Sequence, residues 1–338
     1  MPDPSPHPQP KPSPRFAHRI ANGLRQRLLH GALWVDRYIS RLPADTYINL
    51  RWPTRKPFQL PSLDLASYGG GLGDELMITP ALRAVKKRNP TCHIRFHSRY
   101  PDLFRLYPFI DEIIPLKRGT LPAGARLLRY AHLAPPTRTL THHLAEQLGL
   151  NIRHIEPEPP PIPASLQNPT EAIPSPRIVI QPGGSGWTPN KQWPIELWCD
   201  LISLLLPHAH VIEAGTAPAF GDRHFGTRFS STAGSTSVLE FAAQIRDADL
   251  FIGQGSAGMH LAGAYGVPSI VIFGGYERPE GIGYPSILPY YIPVPCAPCW
   301  LTTPCPHALK CMHAIRPEAV AATALQSLRD RNLIPVHP

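Results

Sequence analysis

The chain has 338 residues, 43% of them apolar, with 44 prolines and a net charge of +9. That length accommodates two domains of ordinary size, and the apolar share suits a soluble globular protein. No apolar run is long enough to cross a bilayer and no signal-peptide pattern opens the chain, so the expectation is a cytoplasmic protein whose cysteines are reduced or metal-bound.

Residues 1–15 alternate proline with polar residues and are expected to be a disordered tail. Residues 16–57 form a basic arm. Ten Lys and Arg stand against three acids within residues 1–60, a balance of +7 that points to an acidic surface as partner. Phe16, Ile20, Leu24 and Leu28 share one helical face, and Val35 and Ile39 continue it. Such a helix either lies peripherally on an anionic membrane surface or packs on its own domain; Gly23 and Gly31 weaken both versions. The arm carries no nucleic-acid recognition motif, and none is expected as a partner.

A first domain spans residues 58–165. Residues 63–67 are expected to be a strand, running through Gly69, Gly70, Gly71 and Gly73 into a helix that opens at Asp74. The spacing is not the dinucleotide fingerprint, because no third glycine follows Gly71 and Gly73 at the required place. Asp74 is either a first-turn acid that caps the helix or a carboxylate facing a ligand crevice at the carboxyl end of a parallel strand. Taken alone, the residue favours the cap. Strands are expected at 92–97 and 113–116, and a helix at 139–148.

Prolines crowd residues 157–176, and a linker at 166–176 leads to a second domain, 177–311. A strand at 178–181 feeds a loop with Gly183, Ser185 and Lys191, whose N–H groups, hydroxyl and ammonium suit phosphate, although P-loop spacing is absent. Helices follow at 195–206 and 238–246, with a strand at 211–214 between them. Residues 250–252 and 269–273 are buried strands flanking a glycine-rich loop and a helix at 259–265, closed by Gly266 and Pro268. Ser256, Ala257, Gly258 and His260 lie where that helix begins, a place that favours an anion but also fits an ordinary βαβ turn. Asp247 and Asp249 have the form of a metal-binding pair, yet they precede their strand, which argues against the role. Cys296, Cys299, Cys305 and Cys311 could close a tetrahedral structural zinc or iron site or remain free thiols.

Three loops occur in one order: Gly73 and Asp74 with Thr79, Pro80, Leu82 and Arg83; Pro182 and Gly183 with Lys191, Trp193 and Pro194; and Ser256 with His260, Leu261 and Ala262. In that order, from residue 63 to residue 328, the chain resembles glycosyltransferase family 9, the lipopolysaccharide heptosyltransferases. The resemblance implies an α/β GT-B fold, two Rossmann-like domains facing across a cleft, with a C-terminal helix (312–338) returning to the first domain. It implies a nucleotide-sugar donor (ADP-heptose type) on the second domain, a glycolipid or glycan acceptor on the first, and catalysis without a required cofactor. Asp74 is then the general base, Gly71 and Gly73 line the acceptor side, and Gly183, Ser185, Lys191, Ser256, Ala257, Gly258 and His260 hold the donor. One position departs: members carry Asp where this chain has Gly255, which bears on the sugar transferred. The competing readings are a nucleotide-sugar epimerase of similar fold and a non-catalytic nucleotide-sugar-binding relative.

Overall fold

The computed structural model describes residues 49–50, 54–117, 120–129, 139–184, 186 and 188–335. The tail 1–15, nearly all of the basic arm, and Ser185 lie outside the described residues.

Two parallel sheets form the framework. The first is built from β1 (Ser62–Ser67), β2 (His93–Ser98), β3 (Glu112–Pro115) and β4 (Arg126–Leu128), in the order β3-β2-β1-β4. Its helices are α1 (Leu72–Leu76), α2 (Thr79–Arg88), α3 (Pro101–Phe104) and α4 (Leu140–Glu146). The second sheet comprises β5 (Arg177–Gln181), β6 (His210–Glu213), β7 (Phe229–Ser231), β8 (Leu250–Gln254), β9 (Ser269–Gly274) and β10 (Ile287–Tyr291), in the order β10-β9-β8-β5-β6-β7. It carries α5 (Ile195–Leu205), α6 (Val238–Arg246) and α7 (Ala257–Tyr265), followed by α8 (Lys310–His313) and α9 (Pro317–Asp330).

In each sheet the strand order reverses once. The reversal lies between β1 and β4 in the first sheet and between β5 and β8 in the second. Ligand crevices of parallel sheets open at such points, beyond the carboxyl ends of the strands. The loop carrying Asp74 follows β1, and those carrying Lys191 and Ser256 follow β5 and β8, so all three emerge at switch points. Ile178 to Gln181 pair in register with Leu250 to Gly253, which sets the last two loops side by side.

Local chemistry explains the boundaries. Helix α6 starts where Ser237 and Glu240 cap each other reciprocally, Glu240 N donating to Ser237 Oγ at 3.2 Å and Ser237 N to Glu240 Oε2 at 2.7 Å. Helix α7 ends because Gly266 takes a left-handed φ of 67°. It begins two residues earlier than the apolar pattern indicates, since Ala257 and Gly258 are helical without being part of an apolar stripe.

The central strands of the second sheet, β5, β8 and β9, are buried on both faces. Leu250 and Ile252 pack with Trp193, Trp198, Leu201 and Met312, whereas Phe251 faces Met259 and Leu261 on the opposite side. The second of these clusters continues without a break into the first sheet, joining Leu65, Leu76 and Phe96. Helix α9 buries Val320, Ala321, Ala324 and Leu328 in the core around Trp198 and packs on α5. This corrects the expected return to the first domain: the apolar stripe of α9 faces α5, and its burial holds it there. Asp247 and Asp249 are structural. Asp247 accepts from Asn168 and pairs with Arg246, and Asp249 accepts from Ser175 and Arg177 N, at the far end of β8 from the ligand loops.

Candidate functional site

On the first sheet, Asp74 sits in the opening turn of α1. Its Oδ2 accepts the Gly71 N–H at 3.0 Å, so the carboxylate is a helix cap, and it stays half-buried at the carboxyl end of β1. A Cβ on Gly69 would collide with the Asp74 carboxyl group, which is why the glycine run is needed there. Glu75 follows it and is buried. Ser98 Oγ donates to its Oε2 at 2.5 Å and Arg99 N to its Oε1 at 3.1 Å. Burial pushes the Glu75 carboxyl up to about 7, with the neighbouring Asp74 charge adding to the rise. Arg99 also donates to Gly70 O at 3.0 Å, which ties the end of β2 to the glycine loop.

On the second sheet, Lys191 Nζ lies 2.7 Å from Glu277 Oε1 and donates to Gly255 O at 3.2 Å. It also stands 4.8 Å above the Tyr276 ring, a cation–π arrangement. The lysine is thus drawn to the start of α7. Gln181, at the end of β5, organises that start: its Oε1 accepts from Ser256 Oγ at 2.6 Å and from Gly258 N at 3.1 Å. A Cβ on Gly258 would meet Gln181 Oε1 at 2.5 Å, so glycine admits this contact. Ala257 opens the helix beside Ser256, and Gly183 has open space where a side chain would stand.

His260 lies in the first turn of α7, as expected. Its ring is buried in the contact between the two sheets, with Nδ1 2.9 Å from the Tyr284 hydroxyl. A Cβ on Gly73 would collide with the ring. Burial holds its pKa down to about 3, with the Lys191 charge helping, so the imidazole is neutral. A neutral, buried ring adds no charge for a phosphate; it packs one ligand loop against the other.

The four cysteines near the end of the chain are free thiols, and among the described residues no group of three or more His, Cys, Asp and Glu is arranged to hold a metal ion. Cys299 and Cys305 nevertheless lie near enough to Cys311 to add to the rise that burial imposes on its thiol. The backbone of this segment is tied to the loop after β9, with Cys299 N donating to Gly275 O and Trp300 N to Tyr276 O.

Residue identity alone did not reveal Glu75, Gln181, Glu277 or Tyr284. The only signals were positional: Gln181 ends a strand just before the glycine loop, and Glu75 adjoins Asp74.

Residues 129–285 match the family described as Glycosyltransferase family 9 (heptosyltransferase). No curated protein matches the sequence. Among solved structures the chain is similar to the iron-containing dodecameric glycosyltransferase TibC of enterotoxigenic E. coli, at 19% identity and a TM-score of 0.63, over 80% of this chain and 76% of that one. It is similar to a family 9 glycosyltransferase of Veillonella parvula, at 17% identity and a TM-score of 0.60, over 80% of this chain and 97% of the other. It is likewise similar to E. coli ADP-heptose lipopolysaccharide heptosyltransferase II, at 16% identity and a TM-score of 0.60, over 79% and 99%. Two parallel α/β sheets, each with loops emerging at its switch point, give this chain the GT-B fold of those structures. The match to the family 9 description lies within the span over which the three loops carry the resemblance.

Proposed function

We propose that the protein is an inverting transferase that moves a sugar, with heptose as the leading candidate, from a nucleoside-diphosphate donor to a lipopolysaccharide-core or other surface-glycan acceptor. The first sheet, within residues 58–165, presents the acceptor, with Gly71 and Gly73 lining its side. The second, within residues 177–311, holds the donor through Gly183, Ser185, Lys191, Ser256, Ala257 and Gly258. The observation that carries the reading is the packing of Gly73 against His260, which sets the Asp74 loop next to the first turn of α7. The ADP complex of E. coli WaaC and the ADP-D-beta-D-heptose complex of TibC support an ADP-linked donor.

In the transfer, an Asp74 oxygen takes the proton of the acceptor hydroxyl while that hydroxyl oxygen bonds to the anomeric carbon. The bond from that carbon to the diphosphate oxygen breaks on the opposite face, and the electron pair leaves with the nucleoside diphosphate. Lys191 supplies a full positive charge to the leaving group, and the α7 N-terminus supplies partial charge and directed N–H donors. No metal is assigned to the step.

Cys296, Cys299, Cys305 and Cys311 are proposed to hold a structural zinc or iron. The reading rests on the sequence spacing of the four cysteines and the soft-donor character of thiolate, and binding would require the segment to draw their sulfurs together. Bound there, a metal would stiffen the segment that hydrogen-bonds Gly275 and Tyr276.

No helix among the described residues is long and apolar enough to cross a membrane. Peripheral attachment through the basic arm, 16–57, is part of the proposal, since a lipid-linked acceptor lies at a membrane surface. The experiment is to incubate the protein with ADP-, GDP-, CDP- and UDP-sugars and an acceptor glycan and to measure nucleoside diphosphate released against glycan extended. Equal release and extension with one donor is expected. Interconversion of donor sugars without release would establish the epimerase reading instead.

A further inference from the structure

Lys191 has a carboxylate partner whose position is unusual. Glu277 comes from the loop after β9 and is buried, and its Oε1 lies 2.7 Å from Lys191 Nζ. A Cβ built on Gly255 would run into that same Oε1 and would stand 3.6 Å from Lys191 Nζ. The Glu277 carboxylate therefore fills the volume that a side chain at 255 would occupy. Position 255 is also the one at which this sequence lacks an expected carboxylate.

Resting on the transferase reading above, we infer that Glu277 is a positioning and specificity residue of the donor site. It holds Lys191 beside the α7 N-terminus when no donor is bound, and it accepts a hydroxyl hydrogen bond from the sugar when the diphosphate draws the lysine away. The chemistry is asymmetric. An ionised carboxylate only accepts hydrogen bonds, and it repels a diphosphate placed against the same lysine. A free nucleoside diphosphate offers Glu277 no donor in compensation, whereas a sugar-linked donor offers hydroxyls. Glu277 thus favours the sugar-linked form over the product. After transfer, when the sugar has gone, it reclaims Lys191 and speeds departure of the diphosphate.

The test compares dissociation constants for the nucleoside diphosphate that the parent binds best, among ADP, GDP, CDP and UDP, and for its sugar-linked form. Glu277→Gln keeps size and removes charge. It should bind the free diphosphate more tightly and the sugar-linked donor more weakly, shifting the ratio of the two by about 10-fold or more, the scale of one charged hydrogen bond. Gly255→Ala, whose methyl group displaces the carboxylate, should shift the ratio in the same direction. Gly255→Asp combined with Glu277→Gly returns a carboxylate to the site and should restore the parent ratio. Equal weakening of both ligands in Glu277→Gln and in Gly255→Ala would mark Glu277 as merely structural and overturn the inference. A parent protein that binds none of the four diphosphates would overturn the transferase reading itself.

Discussion

Asp74 and Glu75 are consecutive carboxylates in one short helix, and their surroundings separate their roles. Asp74 is half-buried at the carboxyl end of β1 and accepts the Gly71 N–H, whereas Glu75 is buried on Ser98 and Arg99. If Asp74 is the general base, Asp74→Asn should leave donor affinity nearly unchanged and lower turnover by roughly 10²-fold or more. Near-normal turnover would leave it a cap. Glu75 makes a separate prediction about stability. Its carboxyl is raised to about 7 from an ordinary value of 4.5, so between those values the folded chain binds more protons than the unfolded one. Stability contributed by the neutral acid is therefore present below about pH 4.5 and lost as pH rises through about 7. Glu75→Gln should remove that slope, gaining up to about 3 kcal/mol on the parent between pH 4.5 and 8 by the 1.36 kcal/mol per unit relation. Chemical denaturation at several pH values would read it. Parallel stability–pH curves for parent and variant would contradict the assignment.

At the scale of elements, apolar runs made most of the fold legible. Helix α6 falls at the expected residues 238–246, and β1, β5, β8 and β9 lie within a residue or two of their hydrophobic runs. The strands β4, β7 and β10 were not legible. Arg126–Leu128 and Phe229–Ser231 are three-residue sheet edges with too little alternation to register, and Ile287–Tyr291 contains a proline. The candidate site was legible where one loop carries its own chemistry, as with Asp74, Lys191 and Ser256. It was illegible where the chemistry comes from pairing between loops: nothing in the neighbourhood of Gly255 in sequence announces Glu277, and nothing around His260 announces that Gly73 will cover it. The cysteine segment is the element whose state matters most, because its backbone holds Gly275 and Tyr276. If it binds metal, purified protein should carry about one zinc or iron per chain, and chelation should lower the melting temperature. Metal-free protein with four titratable thiols there and unchanged stability would remove the metal.

At the scale of the whole molecule, the two sheets share one continuous apolar cluster, and Gly73 of the loop after β1 packs against the His260 ring of α7. The basic arm extends the reasoning outward. Deleting residues 1–56 should abolish sedimentation with anionic vesicles while sparing activity on a soluble acceptor. Equal vesicle binding with and without the arm would refute the membrane role. The central claim concerns the second sheet as a diphosphate site, and calorimetry tests it most directly, using nucleoside, nucleoside diphosphate and nucleotide sugar on the parent and on Lys191→Ala. The account predicts that the variant loses about 1.5–3 kcal/mol of affinity for both phosphate-bearing ligands and almost none for the nucleoside. A Lys191→Ala protein that binds all three like the parent would contradict it.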